Sequence, residues 1–286
     1  MHETGGVLPD LDWLPRLAAA LLATGLLVLF LVRAIRKDRR EYARFRRYRS
    51  TARRQAMLRR WLIESLALFG GTAALVLVPV QPFVAPLLAE TQALPPVAWL
   101  RDALTGGLGA GLLIGAVVGG TLLTVIGVRS ARAEGGVVMV GDIASLLPRN
   151  RPELGWGAAL SVNAGIVEEA LFRLALPALL VIVTGEPISA FVLAALVFGA
   201  LHAYQGWLGV VATSVVGLLF TTLYVVSGSI LLAMLVHILF DLRTLVVIPM
   251  AVYRVHEVPG SVRFPRPLAL ATPPAQPEAA QPEADA

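Results

Sequence analysis

Seven windows of about 20 mostly apolar residues follow one another along this chain of 286 residues. A helix of that length crosses the roughly 30 Å hydrocarbon layer of a bilayer and satisfies its own backbone hydrogen bonds there. Hydrophobic residues make up 57% of the chain and charged residues 15%, more apolar surface than a soluble fold of this length can bury. The sequence therefore predicts an all-α, polytopic membrane helical bundle of about seven transmembrane helices, at 14–32, 62–84, 104–128, 156–183, 188–203, 207–226 and 230–253.

Positive charge is concentrated in one loop. Between Arg33 and Arg60 lie 13 of the 24 basic residues with only two acids, and this block separates the first two apolar windows. Such a loop is typical of the cytoplasmic face of a membrane protein. We expect a multi-pass protein of the cell inner (cytoplasmic) membrane with loop 33–60 and the C-terminus in the cytoplasm and the N-terminus outside. The basic excess thus predicts orientation, and no nucleic-acid partner.

The same loop has an alternative interpretation. Tyr42, Phe45 and Tyr48 are interspersed among the arginines, a pattern also found in amphipathic helices that bind anionic lipids. The aromatic side chains would then insert between lipids while the arginines bind headgroups. The two interpretations are compatible with each other.

The pattern divides the chain into four segments. Residues 1–60 contain the first transmembrane helix and the basic loop, and residues 61–140 contain two further helices. Residues 141–253 contain the last four helices and form the predicted catalytic core. Residues 254–286 are rich in Pro and Ala, a composition that cannot bury enough surface to order itself.

Ionisable residues are rare in the predicted spans and are concentrated in the last four. A charged side chain costs several kcal/mol near the bilayer centre, so such residues are functional candidates by default. A purely structural network of hydrogen bonds and ion pairs is the alternative. The residues in question are Glu168, Glu169, Arg173, His202, His237, Asp241 and Arg243.

Helical spacing predicts which of these side chains lie on the same face of a helix. Glu169 and Arg173 are four residues apart and share one helix face, where they can pair, whereas Glu168 points about 100° away and stays free. His237 and Asp241 are also four apart, so the acid can orient the ring. Phe198, one turn before His202, can form one wall of the site.

The predicted position of His237 along the seventh span places it nearer the membrane surface than the other site residues. His237 lies only seven residues after the predicted start of that span, about 10 Å along a helix. We therefore expect this helix to be tilted or to begin near Ser227.

Three short motifs in this region resemble one known family. They are EEALFR at 168–173, FGALH at 198–202 and HILFD at 237–241. In type, order and separation they are similar to the EExxxR, FxxxH and HxxxN or HxxxD motifs of the CPBP (CAAX protease and bacteriocin-processing, or Abi) intramembrane proteases. The resemblance covers about residues 142–243, and it is the succession of three motifs within apolar helices that makes it specific.

The resemblance implies roles for individual residues. Glu168 resembles the catalytic glutamate that activates water, helped by His202, and Glu169 with Arg173 resembles the supporting ion pair. His237 with Asp241 resembles the group that stabilises the oxyanion.

One position departs from the CAAX-cleaving members, which have Asn where this chain has Asp241. An ionised carboxylate cannot donate a hydrogen bond to an oxyanion. Asp241 is therefore either protonated or orients His237.

A metal ion is a further hypothesis. Glu168, His202 and His237 offer one carboxylate and two imidazoles, the donor set of a catalytic zinc with an open position. Their spacing is not HExxH, and a metal-free mechanism, in which the glutamate itself holds the water, uses the same three residues.

The resemblance implies an intramembrane endopeptidase that uses a glutamate-activated water to hydrolyse a peptide bond of a membrane-associated or lipidated substrate. Proteases of this family are often classified as metalloproteases. Its expected partners are the lipid bilayer and a membrane-associated peptide or protein. A catalytically silent scaffold or bacteriocin-immunity protein of the same family is the main alternative, because fold does not imply function. A proton-coupled transporter, which also uses buried Glu, His and Asp, is a third class.

Overall fold

The computed structural model describes residues 12–134, 136 and 139–260. Within these residues the chain is helical and contains no β-strand, which confirms the all-α fold. Eight helices follow one another: α1 Trp13–Phe45, α2 Thr51–Ala93, α3 Pro95–Thr105, α4 Gly107–Glu134, α5 151–184, α6 Pro187–Leu201, α7 Gly206–Ser227 and α8 Ile230–Tyr253.

Several of these helices suit a bilayer. In the described part of the chain, α1, α2, α8 and α7 with the turn before it are long and apolar enough to cross a membrane, and α6 is a shorter apolar helix. Large apolar side chains point outward from the bundle, as expected where the surrounding solvent is lipid. The protein is therefore a multi-pass membrane protein, while the count of seven spans and their orientation stay predictions.

Residues at the helix boundaries explain where α5 and α8 begin and where α7 ends. The Asn150 side chain accepts a hydrogen bond from the Glu153 backbone N–H at 3.1 Å and caps the start of α5. Gly228, with φ of 71°, ends α7, and the Ser229 side chain then caps α8 at the Leu232 backbone N–H. Helix α8 begins at Ile230, where the predicted span began, and Ser227 still belongs to α7, so the helix does not start earlier; the alternative expectation, a tilted helix, stays a prediction.

Two glycines let the helices of the last segment approach closely. A methyl group at Gly165 of α5 would lie 2.9 Å from the backbone nitrogen of Ile238 in α8. A methyl group at Gly199 of α6 would lie 2.8 Å from the backbone nitrogen of Ser214 in α7. Side chains at these positions would push apart the helix pairs α5–α8 and α6–α7.

Part of the basic block belongs to the core rather than to the surface. The Arg54 guanidinium bonds the Glu153 carboxylate at 3.1 Å, and both side chains are fully buried. Tyr42 and Phe45 are buried as well, and Arg54 lies 4.1 Å above the Phe45 ring. These two aromatics therefore face protein, which contradicts their proposed insertion between lipids, whereas Tyr48 is half-buried against Phe45.

The C-terminal segment begins in a packed conformation. Val255, in the turn Val255–Glu257, is buried against Val252 and Tyr253, so this part of the segment predicted to be disordered is folded. Residues 1–11 and 261–286 lie outside the described residues. The predictions that the N-terminus lies outside the cell and the C-terminus in the cytoplasm concern these residues and stay predictions.

The glycine contact between α5 and α8 yields a testable prediction. Gly165→Ala should lower the free energy of unfolding by about 1–3 kcal/mol, because the added methyl meets backbone atoms that cannot move aside. Gly155→Ala, in the same helix with no atom within 4 Å, should raise it by about 0.5–1 kcal/mol through helix propensity. Thermal unfolding in detergent measures both, and equal effects would contradict the close approach.

Candidate active site

A cavity of about 790 Å³ runs between the helices of the bundle. Its lining is mostly apolar, and it is bordered by residues from the first two helices as well as the last segment. Five side chains singled out from the sequence line it together: Glu168, Phe198, His202, His237 and Asp241. The fold thus brings three separate motifs to one cavity.

Glu168 and Glu169 are neighbours in sequence but occupy different environments. Glu168 is half-buried at the cavity and makes no hydrogen bond to the described protein groups, while Glu169 is fully buried. The difference follows from the 100° turn between consecutive helical residues. Directly afterwards α5 widens into a π-helical segment, Ala170–Ala175, a distortion that is frequent at functional sites.

Glu169 is the centre of a buried polar network. Its Oε1 atom lies 3.0 Å from Arg173 Nη1 and 2.7 Å from His237 Nδ1. Arg173 also donates from Nη2 to the Gly217 carbonyl of α7 at 3.0 Å. One carboxylate therefore ties α5, through Arg173, to α7, and ties α5 directly to α8.

His237 receives its orientation mainly from Glu169. A carboxylate paired with arginine is ionised and can only accept, so the ring donates from Nδ1. Asp241 lies on the other side, with Oδ2 at 3.7 Å from His237 Nε2, which is longer than a hydrogen bond. Asp241 therefore makes no direct hydrogen bond to the ring, and an orienting role for it stays a prediction.

His202 lies at the C-terminal end of α6, where the helix gives way to the turn Ala203–Gln205. Its Nδ1 atom lies 2.8 Å from the carbonyl oxygen of Phe198. Because a carbonyl only accepts, Nδ1 carries the proton, and Nε2 of the neutral ring keeps a free lone pair.

Aromatic rings wall this site. The centroid of the Phe198 ring lies 4.9 Å from that of His202 and 6.2 Å from that of His237, so this ring packs beside both imidazoles. Phe220 of α7 lies 4.7 Å from His237, and the Arg173 guanidinium lies over both phenyl rings. Sequence reasoning missed Phe220, since nothing local distinguishes one apolar residue in an apolar helix from another.

Comparison with known protein families was informative for one part of the chain. Residues 150–243 match the Rce1-like family model, described as type II CAAX prenyl endopeptidase Rce1-like. The predicted resemblance to the CPBP family is thereby confirmed for this segment. The matched third of the chain contains the side chains of all three motifs, at 168–173, 198–202 and 237–241. Comparisons with curated proteins and with solved structures gave no match.

The donor geometry does not favour a preformed metal site. The hydrogen bonds at both Nδ1 atoms leave Nε2 of His202 and His237 available, a pattern compatible with proton transfer or with metal binding. Among the described residues, however, no three His, Asp or Glu side chains come together closely enough to hold an ion. Zinc coordination by Glu168, His202 and His237 therefore stays a prediction.

The Glu169 network predicts a specific pattern of stability. Glu169→Gln should lower the free energy of unfolding by about 3–5 kcal/mol, because it leaves the Arg173 cation buried without a counter-charge. Glu169→Gln combined with Arg173→Met should recover most of that loss, since the guanidinium that lost its counter-charge is then absent. Thermal unfolding in detergent is the measurement.

Glu257→Gln is the control for this series. It breaks an exposed ion pair with Arg254, which should cost at most about 1 kcal/mol. If the double variant is no more stable than Glu169→Gln alone, the unpaired charge is not the source of the loss.

Proposed function

We propose that this protein is an intramembrane endopeptidase that hydrolyses a peptide bond of a membrane-associated or lipidated substrate. The observation that carries the proposal is the contrast between two adjacent glutamates. Glu169 is paired with Arg173, while Glu168 lines the same cavity as His202 and His237 and has no hydrogen-bond partner among the described residues. The Rce1-like match over residues 150–243 supports the same class of reaction.

In the proposed reaction Glu168 acts as the base. Its carboxylate accepts a proton from a water molecule whose other proton is held by the free Nε2 lone pair of His202. The resulting hydroxide adds to the substrate carbonyl and forms a tetrahedral intermediate. Glu168 then returns the proton to the leaving amine, so one water is consumed for each peptide bond broken.

His237 is the proposed oxyanion donor. Two carboxylates, Glu169 and Asp241, flank its ring at 2.7 and 3.7 Å and favour the imidazolium, which donates from both nitrogens. With Nδ1 held by Glu169, Nε2–H is directed to the oxyanion. Asp241 in place of asparagine then acts by stabilising charge on His237 and makes no bond to the intermediate itself.

Access for the substrate comes from the membrane. The helices around the cavity present apolar faces outward, and the cavity also reaches Arg33 and Tyr42 beside the basic loop. A peptide anchored in the bilayer can enter such a space without leaving the interface. We further propose that the basic segment 33–60, which forms the end of α1, a short turn and the start of α2, faces the cytoplasm, because most of its arginines are exposed at the surface.

Substitution of the two activating residues tests the mechanism. Glu168→Gln should lower cleavage of a membrane-tethered reporter peptide in proteoliposomes by at least about 1,000-fold, because an amide cannot take up the proton. His202→Gln should lower it by at least about 100-fold, because it removes the imidazole nitrogen that holds the water in place. Glu257→Gln, on the exposed turn, should cleave normally. Mass spectrometry of the products gives the rate and the cleaved bond.

The same assay separates the alternatives. Wild-type protein that binds the reporter but never cleaves it would favour the silent scaffold, and cleavage that survives Glu168→Gln would remove that residue from catalysis. Ion-dependent flux of a solute into the vesicles would instead favour a transporter.

Metal dependence is tested separately. Since the described donors do not converge, we expect activity to be unchanged after incubation with EDTA or 1,10-phenanthroline followed by desalting. Loss of cleavage that is restored by added zinc would overturn the metal-free mechanism.

A further inference from the structure

Two arginines border the cavity, and their surroundings differ. Arg33 lies 2.7 Å from the Glu64 carboxylate and 3.5 Å from Asp38, so its charge is compensated within the protein. Arg243, at the start of the π-helical segment of α8, donates from Nε to Thr124 Oγ1 of α4 at 2.8 Å. Among the described side chains, no carboxylate lies within 4.0 Å of Arg243.

The nearest acid in sequence points elsewhere. Asp241 precedes Arg243 by two residues, a rotation of about 200° on a helix, and its closest charged neighbour is His237. Among the described residues neither terminal nitrogen of Arg243 has a hydrogen-bond or ion-pair partner, and the side chain is half-buried at the cavity. A guanidinium in mostly apolar surroundings is strongly stabilised by an anion, and its planar fork matches the two oxygens of a carboxylate.

The position of Arg243 suits substrate binding rather than catalysis. It lies six residues after His237, about 9 Å along the helix. A group held there is displaced from the scissile bond along the cavity. The hydrogen bond to Thr124 fixes one side of the guanidinium and leaves the other side for a ligand.

We propose that Arg243 is a specificity-determining residue that binds a carboxylate of the substrate peptide, with Thr124 holding the guanidinium in position. This inference rests on the proposed function, since it names a feature of the substrate of that same site. The carboxylate can be the C-terminus of the peptide or the side chain of an acidic residue.

Matched peptides distinguish these two sources. A membrane-tethered reporter is prepared with a free C-terminus or a C-terminal amide, and with Asp or Asn moved one position at a time beyond the cleaved bond. Wild-type protein should show a kcat/KM at least about tenfold higher for one class of carboxylate than for its neutral counterpart. The preferred class identifies the source.

Variants of Arg243 then test the residue itself. Arg243→Gln should abolish the preference by raising KM for the carboxylate peptide, with kcat for the neutral peptide unchanged. Arg243→Lys should retain part of the preference because it keeps the charge, and Thr124→Val should weaken the preference because it frees the guanidinium. Arg47→Gln, which removes an exposed arginine outside the cavity lining, is the control and should behave as wild type.

Several results would overturn the inference. These are equal kcat/KM for charged and neutral peptides in wild type, an unchanged preference in Arg243→Gln, or an equal fall in kcat for both peptides. If Arg243→Gln does not fold, the preference of Arg243→Lys and Thr124→Val decides, and a wild-type preference in both overturns it.

Binding measurements keep this inference separate from the proposed function. Fluorescent peptides are titrated onto Glu168→Gln protein with and without Arg243→Gln, so that no cleavage is needed. Tighter binding of the carboxylate peptide that depends on Arg243, in a protein whose wild type never cleaves, would refute the protease and retain the carboxylate site. Cleavage with equal kcat/KM for the carboxylate and neutral peptides would retain the protease and refute the carboxylate site.

Discussion

A single buried carboxylate holds the site together. Glu169 bonds Arg173 in its own helix and His237 in α8, and Arg173 in turn bonds the Gly217 carbonyl of α7. In a membrane protein such charges cannot be left to water, so separating these helices would leave an uncompensated ion in apolar surroundings. The network therefore sets the distances between helices as well as the orientation of one ring, and it is Glu169, not Glu168, that pairs with Arg173.

Close helix packing makes this network possible. Gly165 and Gly199 remove the side chains that would separate α5 from α8 and α6 from α7. The helix α6 has 15 residues and is about 22 Å long, less than the hydrocarbon thickness, so the chain turns back at His202. A histidine at a helix end can bond the preceding carbonyl through Nδ1 and present Nε2 to the cavity, which suits the proposed proton acceptor.

Motif spacing within one helix was a sound guide to contacts within that helix. The i, i+4 rule places Glu169 beside Arg173 and Phe198 beside His202, because helix geometry is independent of the rest of the fold. The same rule places Asp241 on the face of His237, but the distance of 3.7 Å is too long for a hydrogen bond, and the ring is bonded instead by Glu169 of another helix. The basic block shows the same limit, because charge counting predicted a surface loop but could not identify Arg54 as the buried partner of Glu153.

By itself, then, the sequence determined the membrane class, the all-helical fold and the short set of ionisable residues worth considering. These follow from local properties: apolar length, helical period and the cost of charge in lipid. Only the tertiary structure decided which side chains meet across helices. The Glu169 contact to His237, the Phe220 wall and the uncompensated Arg243 at the cavity arise between segments far apart in the chain, and helical periodicity carries no information about which faces pack together.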